Sequence, residues 1–309
     1  MKISPKIISI IFFFFIVITQ KLYAAEKIKI GLLVPLSGND NKIGKSILQS
    51  VRLAINKINN SDIEVIPKDT KNDPLQTKLA AQELEMSGVK IAIGPVFNKN
   101  LLFLSDINKI TFLSLTNKSI GNPKNVISAG INASSQISTI VKFKKINEIN
   151  KTIFLIPNSD FKEEVKKGIN QSKIKLKHIH VYETNPTKLT KQIEEITMYR
   201  IRKQNLIDEI KRLEDSNEEN KEWKIKNLKK RDTLGGINFD SVIIADFDES
   251  LKSVITSLLY TDVSPKDKYF ITLNQWFDES LLTESASQPI YYPSINKENF
   301  DDYKIKYFN

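Results

Sequence analysis

Several groups of side chains in this 309-residue chain have types and spacings that bear on chemistry. Gly38 and Gly44-Lys45-Ser46 follow an apolar run, in the order of a phosphate-binding loop. Such a loop needs four residues between its first glycine and Gly-Lys-Ser. Here Asn39 to Ile43 make five, and the extra residue displaces the backbone amides that would cradle phosphate, so nucleotide hydrolysis is not expected. His178 and His180 are the chain's two histidines and alternate along an apolar stretch. They would share one face of a strand, but no Asp or Glu accompanies them at ligand spacing. They read as a solvated strand face, and no metal site is expected. Asp246, Asp248 and Glu249 follow the run SVIIA, beyond the kind of strand end where open α/β sheets bind ligands. Ser37 after LLVPL, Asn98 after IGPVF, and Ser114 with Thr116 in LSLTN stand in similar places. Hydroxyls and helix N-termini there can hold a carboxylate or similar anion, or can simply cap helices. No nucleophile–base pair can be picked out, so neither catalysis nor a cofactor is expected.

The elements that would position these residues alternate in type. Strands are predicted at 28–34, 63–67, 90–95, 110–116 and 126–130, with helices at 43–59, 74–87, 98–108 and 134–147 between them. In the first helix Ile47, Val51, Ala54, Ile55 and Ile58 share one face. Asp73 caps the second and Pro74 opens it. The pattern then resumes, with strands at 151–157, 174–183, 239–246 and 268–276 and helices running to about 171 and over 249–260. Strands alternating with helices indicate parallel sheets covered on both faces. The fold class is therefore α/β, with two doubly wound parallel-sheet lobes. The N-terminal lobe spans 26–147 and the C-terminal lobe 148–309.

Residues 187–231 interrupt this rhythm. They contain no glycine or proline, and Ile193, Ile196, Leu206, Ile210 and Leu213 recur at helical spacing. A long helix or helical hairpin inserted in the second lobe is expected, either as a solvated arm or as a docking surface.

Residues 1–25 set the compartment. Lys2 and Lys6 precede an apolar run from Ile7 to Thr19, and Tyr23-Ala24-Ala25 offers small residues for cleavage. This is the pattern of a secretory signal peptide, and the run is short for a membrane span. The chain has no cysteine, which leaves no disulfide, no thiolate ligand and no lipoprotein anchor. A periplasmic protein without a lipid is expected. The formal charge is +10, and the leader's lysines supply part of it, so the remainder is modestly basic. Such a surface suits anionic envelope neighbours. Without aromatic–basic interleaving, nucleic acid is not an expected partner.

With these elements in place the chain resembles a family. KIGLLVPLSG, the helix after it, IPKDTKNDPLQTKLAAQEL, GVKIAIGPVFN and TFLSLTN are together similar to the leucine-binding-protein superfamily of periplasmic type I binding proteins. The likeness covers about residues 28–276. It implies two lobes that close on a ligand, with the PLSG loop as the first cleft loop. It also implies that Asn98, Ser114 and Thr116 hold an amino acid's carboxylate and ammonium, with an acidic group near Asp246 or Asp248. Asn98 stands where a serine is usual, and Ala245-Asp246 where glycines are usual, which argues against ordinary amino-acid binding.

Within the superfamily, Arg200-Ile201-Arg202, Lys211-Arg212-Leu213, Asp232-Thr233-Leu234-Gly235 and Phe239-Asp240 resemble the penicillin-binding-protein-activator branch, as does LNQWFDESLL. That branch implies a non-enzymatic scaffold contacting a peptidoglycan synthase or another envelope protein. Arg200, Arg202, Lys211, Arg212 and Trp223 are the partner-binding candidates. The alternative is a solute-binding component that delivers an amino acid to an ABC permease. The closing FDDYKIKYFN reads as the start of a helix that would return toward the first lobe.

Overall fold

The computed structural model of the chain describes residues 27–273 and 285–308. The expected leader and most of LNQWFDESLL lie outside these residues. The chain divides into two compact units. One comprises the residues up to Leu115 with Asn122–Ser128 and the last residues from Lys306. The other comprises Thr116–Gly121 with Ala129–Ile305.

The first unit runs β1 (Ile28–Val34), α1 (Asn41–Ile58), β2 (Ile63–Asp69), α2 (Pro74–Met86), β3 (Ile91–Ile93), β4 (Thr111–Ser114) and β5 (Val126–Ser128). Its five strands lie in the order β2-β1-β3-β4-β5, and all pair in parallel, with Ile30 of β1 opposite both Val65 and Ile91. Two polar side chains cap helices as their types suggest. Asp73 accepts from the Gln76 amide at the start of α2, and Asn132 accepts from the Ser135 amide at the start of α3 (Ala133–Ile146) in the second unit.

The second unit continues with β6 (Thr152–Pro157), α4 (Lys162–Ser172), β7 (His178–Tyr182), α5 (Pro186–Ile196), α6 (Tyr199–Glu214), α7 (Lys221–Leu228), β8 (Ser241–Ile244), α8 (Asp248–Tyr260), β9 (Tyr269–Thr272), β10 (Ile290–Tyr291) and α9 (Lys297–Phe308). Its parallel sheet is ordered β10-β9-β8-β6-β7. Counted from each unit's own first strand, the two orders are the same. The strand order reverses between β1 and β3 in one unit and between β6 and β8 in the other.

The central strands explain why this architecture was visible as apolar runs. Every residue of β6 and β8 is buried. Ile153, Leu155, Val242 and Ile244 meet α5 and α8 on one face, while Phe154, Ile156 and Ile243 meet α3 and α4 on the other. A strand buried on both faces reads as a near-continuous apolar run, and each fully buried Ile, Leu, Val or Phe stabilises by about 1.5–3 kcal/mol.

Several expectations are corrected by the structure. The division falls near 128, not 147, because α3 packs Ala133, Ile137 and Ile140 against Phe154 and Ile243 of the second unit. The helix expected at 98–108 is two 3₁₀ turns, Asn98–Leu101 and Leu104–Asp106. The buried residues Leu101, Leu104, Ile107 and Ile110 recur every three positions, which is the repeat of a 3₁₀ turn rather than an α-helix. Asn125 Nδ2 donates to the carbonyls of Leu104 at 2.8 Å and Ile107 at 2.7 Å, holding that geometry. The strand expected at 174–183 begins only at His178, since Ile174 and Leu176 turn into the core beside α3 and α4. Of the apolar face expected on α1, Ala54 and Ile58 are exposed and Ile47, Val51 and Ile55 half-buried. Finally, 187–231 is neither one helix nor a simple hairpin. Met198 and Asn220 adopt φ of 53° and 62° and break it into α5, α6 and α7.

Candidate sites at the strand ends and along the helical segment

Beyond β1, Gly44 is needed for close packing and not for phosphate. A Cβ there would lie 1.8 Å from the Pro35 carbonyl oxygen, so α1 can approach the strand end only with glycine at this position. Gly94 does the same beyond β3. It adopts a φ of 99°, and a Cβ would lie 2.1 Å from the Leu33 carbonyl oxygen.

The PLSG loop is organised by the first residue of the DTKNDP run. Asp69, the last residue of β2, accepts from the Leu36 amide at 2.8 Å, the Ser37 hydroxyl at 2.6 Å, the Ser37 amide at 3.3 Å and the Lys71 amide at 2.9 Å. Burial pushes its pKa up, but the hydrogen bonds from Ser37, Lys71 and Leu36 outweigh burial and hold it below the usual carboxylate value. Ser37 is thus the hydroxyl that ties the loop to Asp69. Ser114 is fully buried and donates to the Pro95 carbonyl at 2.9 Å. Asn98 is exposed at the start of its 3₁₀ turn. Its neighbour Asn100 is buried and donates to Asn72 Oδ1 at 3.1 Å, and Asn72 donates to Asp40 at 2.6 Å. The DTKNDP run therefore contributes an internal polar chain as well as a helix cap.

In the second unit Thr116 is buried and accepts from the Lys118 amide at 3.2 Å. The turn that follows is held by Glu164 of α4, which is buried and accepts from the Ser119 hydroxyl at 2.9 Å and the amides of Ser119 at 2.7 Å and Ile120 at 2.6 Å. Asp246 lies just past β8, at the point where the strand order reverses, and is 7% exposed. It accepts a short hydrogen bond from Tyr182, the last residue of β7, and another from the Phe247 amide at 2.9 Å. Burial pushes the Asp246 pKa up. The Tyr182 and Phe247 bonds oppose this, the nearby charge of Asp248 adds to it, and the net shift is upward. Burial and the Asp246 charge push the Tyr182 phenol far above its usual value. Asp248 is exposed at the first position of α8. Tyr182 was missed because nothing in HIHVYE distinguishes a strand-end tyrosine that finds a carboxylate 64 residues away.

The partner candidates separate into two kinds. Arg202 is corrected from surface to interior, with only 5% exposed. Its guanidinium donates to Thr233 Oγ1 at 2.6 Å and to the carbonyls of Thr261 at 3.0 Å, Asp262 at 3.3 Å and Gly235 at 3.3 Å, beside the Asp262 carboxylate at 3.4 Å. It fastens α6 to the 233–235 loop and to the end of α8, and is unavailable to a partner. Arg200, Lys211 and Arg212 are exposed. Arg200 pairs with Glu194 at 3.1 Å. Arg212 pairs with both oxygens of Glu209 at 2.8 Å and with Glu218 at 2.7 Å, and Lys224 also holds Glu218. Bonds from Lys224 and Arg212 hold Glu218 down at about 2. Trp223 is 66% exposed on α7, a helix that buries none of its residues. Its ring borders an open groove of about 550 Å³ with Leu213, Leu228, Lys230 and Arg231.

Among the described residues no helix is long and apolar enough to cross a membrane. No curated protein matches the sequence significantly. Among solved structures, the C-domain of LpoA (YraM) from Haemophilus influenzae, a regulator of PBP1A, is similar in fold. The TM-score is 0.55 at 16% identity, over 84% of this chain and 69% of that one. Full-length LpoA from Haemophilus influenzae gives a TM-score of 0.54 at 15% identity, covering 84% of this chain, which spans only 41% of that protein. The leucine-binding protein LivK from Thermotoga maritima gives 0.46 at 14% identity, over 91% of this chain and 77% of that one. The sequence profile of the periplasmic binding protein family matches residues 27–195, more than half of the chain, and runs from β1 through the two strand-end loops of the first sheet, across β6 and β7 and into α5. The expected type I fold is the observed one, with two parallel five-stranded sheets of the same strand order, and the chain belongs to the periplasmic binding protein family.

Proposed function

We propose that this protein is a non-enzymatic scaffold of the bacterial envelope that regulates a peptidoglycan synthase through the helical segment of its second unit. The observation that carries this reading is α7, an eight-residue helix with no fully buried residue, which leaves Trp223 exposed. An exposed tryptophan beside a groove is the kind of anchor that dominates protein interfaces. The strand ends of the first sheet support the same reading, because Ser37 and Ser114 already bind Asp69 and Pro95. LpoA's description as a regulator of PBP1A agrees with it. The leader would deliver the protein to the periplasm. Binding to an immobilised penicillin-binding protein of the PBP1A class tests the proposal. Trp223→Ala should weaken binding about tenfold or more, with the melting temperature unchanged. Equal affinity of the variant and the wild type would sink the scaffold role of α7.

A second reading, an amino-acid receptor serving an ABC permease, is favoured by the buried Asp246–Tyr182 pair beyond β8, where an ammonium group could be met. Melting temperature measured against each of the twenty amino acids tests it. A ligand at about 100 times its dissociation constant adds about 2.7 kcal/mol of stability. A shift that disappears in Asp246→Asn would make the protein a receptor.

A further inference from the structure

The chain's two histidines occupy one place, on one face of an edge strand, two and four residues before its last residue, Tyr182. His178 opens β7 and His180 follows two residues later. β7 is the last strand of its sheet. The imidazole centroids are 5.8 Å apart. Neither ring has a hydrogen-bond partner among the described residues, although His180 is half-buried. Both rings border an open pocket of about 320 Å³, whose other walls include Glu195, Thr197, Gly236 and Asn238. Lys177, the nearest cation in that wall, is drawn aside by the Asn238 carbonyl at 2.7 Å.

We infer that His178 and His180 form a two-imidazole chelate for a divalent transition-metal ion, with copper(II) held most tightly. The geometry fits. An imidazole nitrogen binds such an ion at about 2.0–2.1 Å, which puts each ring centroid about 3.2 Å from the metal. Two rings on one ion then lie about 4.5 Å apart at the right angle of a square-planar copper(II) site and about 5.2 Å apart at a tetrahedral angle. Side-chain rotation on the open edge strand closes the observed 5.8 Å to that range. No group of three His, Asp or Glu able to hold a metal occurs among the described residues, so water fills the remaining positions, and the pocket has room for it. Imidazole ligands favour copper, nickel and zinc, and the order of intrinsic affinity puts copper(II) first.

Titration of the purified protein with copper(II), nickel(II) and zinc(II) salts, followed by calorimetry and by electron paramagnetic resonance of the copper sample, tests this. The expected result is one copper(II) per chain with nitrogen coupling from two imidazoles. His178→Ala and His180→Ala should each weaken binding by about tenfold or more, with nickel and zinc weaker than copper. Both side chains stand on a solvent-accessible edge, and unchanged melting temperatures will show that the variants fold. Copper binding of equal stoichiometry and affinity in the double variant would overturn the assignment, as would the absence of saturable binding in the wild type.

Discussion

The two sheets carry the same strand order, yet they finish their carboxyl ends with carboxylates whose pKa values are shifted in opposite directions. In the first unit Asp69 collects two amide bonds from the PLSG loop, one from Lys71 and a hydroxyl bond from Ser37. Those donors favour the charged form over the cost of burial. In the second unit Asp246 is more deeply buried and has one amide and the Tyr182 phenol, too little to offset burial, and its pKa rises. Tyr182 ends the strand that is topologically equivalent to β2, so a phenol stands in the second unit where the first has Asp69. The difference teaches that topology fixes where polar groups gather, while the number of donors within reach decides which way burial leaves the carboxylate's pKa.

The largest test of that contrast is Tyr182→Phe. Removing the phenol leaves a buried carboxylate short of a donor and should cost the second unit about 3 kcal/mol at neutral pH, read by urea unfolding. The cost should shrink at low pH, where Asp246 is protonated. A cost independent of pH would break the contrast. Asp69→Ala should cost about 2 kcal/mol, with the value reduced by partial exposure to solvent. Because the folded pKa lies below the ordinary value of 3.8, this stability is fully present above 3.8 and is lost as pH falls through the folded value. Wild type and variant should therefore converge in acid.

Asp246→Asn should behave in the opposite sense. A raised folded pKa contributes stability that is complete below the unfolded value and is lost as pH rises through the folded one. The asparagine variant should therefore gain on the wild type as pH rises from 3.8 through the folded pKa, with a change under about 1.5 kcal/mol, measured by melting temperature against pH. Smallest is Ser37→Ala, about 1 kcal/mol, because three amide bonds to Asp69 remain.

The parts of the molecule legible in the sequence are those set by short-range pattern. Apolar runs marked β1, β6 and β8, and Asp73-Pro74 marked the start of α2. The segment at 98–108 misled because its buried residues repeat every third position, a spacing that partly satisfies a helical face. The break at Met198 was invisible because methionine is a good helix former that gives no stop signal, whereas Asn220, a residue tolerant of the left-handed region, was a signal passed over in a segment free of glycine and proline. At the sites, Asp246 was legible as an acidic residue past a strand, and Ser37 as a loop hydroxyl. Their partners, Tyr182 and Asp69, lie 64 and 32 residues away, and no local pattern pairs them. Arg202 was misread for the same reason, since nothing adjacent to it in sequence announces the acceptors that surround it.

Arg202 also sets an order of assembly for the second unit. Of the groups its guanidinium requires, Thr233 lies about 30 residues downstream and Thr261 and Asp262 about 60. Helix α5 docks on β6 and β7 through Leu189 and Ile193 without them. Helix α6 can bury its guanidinium only once the end of α8 is in place to accept its hydrogen bonds, so the closure of α6 depends on long-range partners.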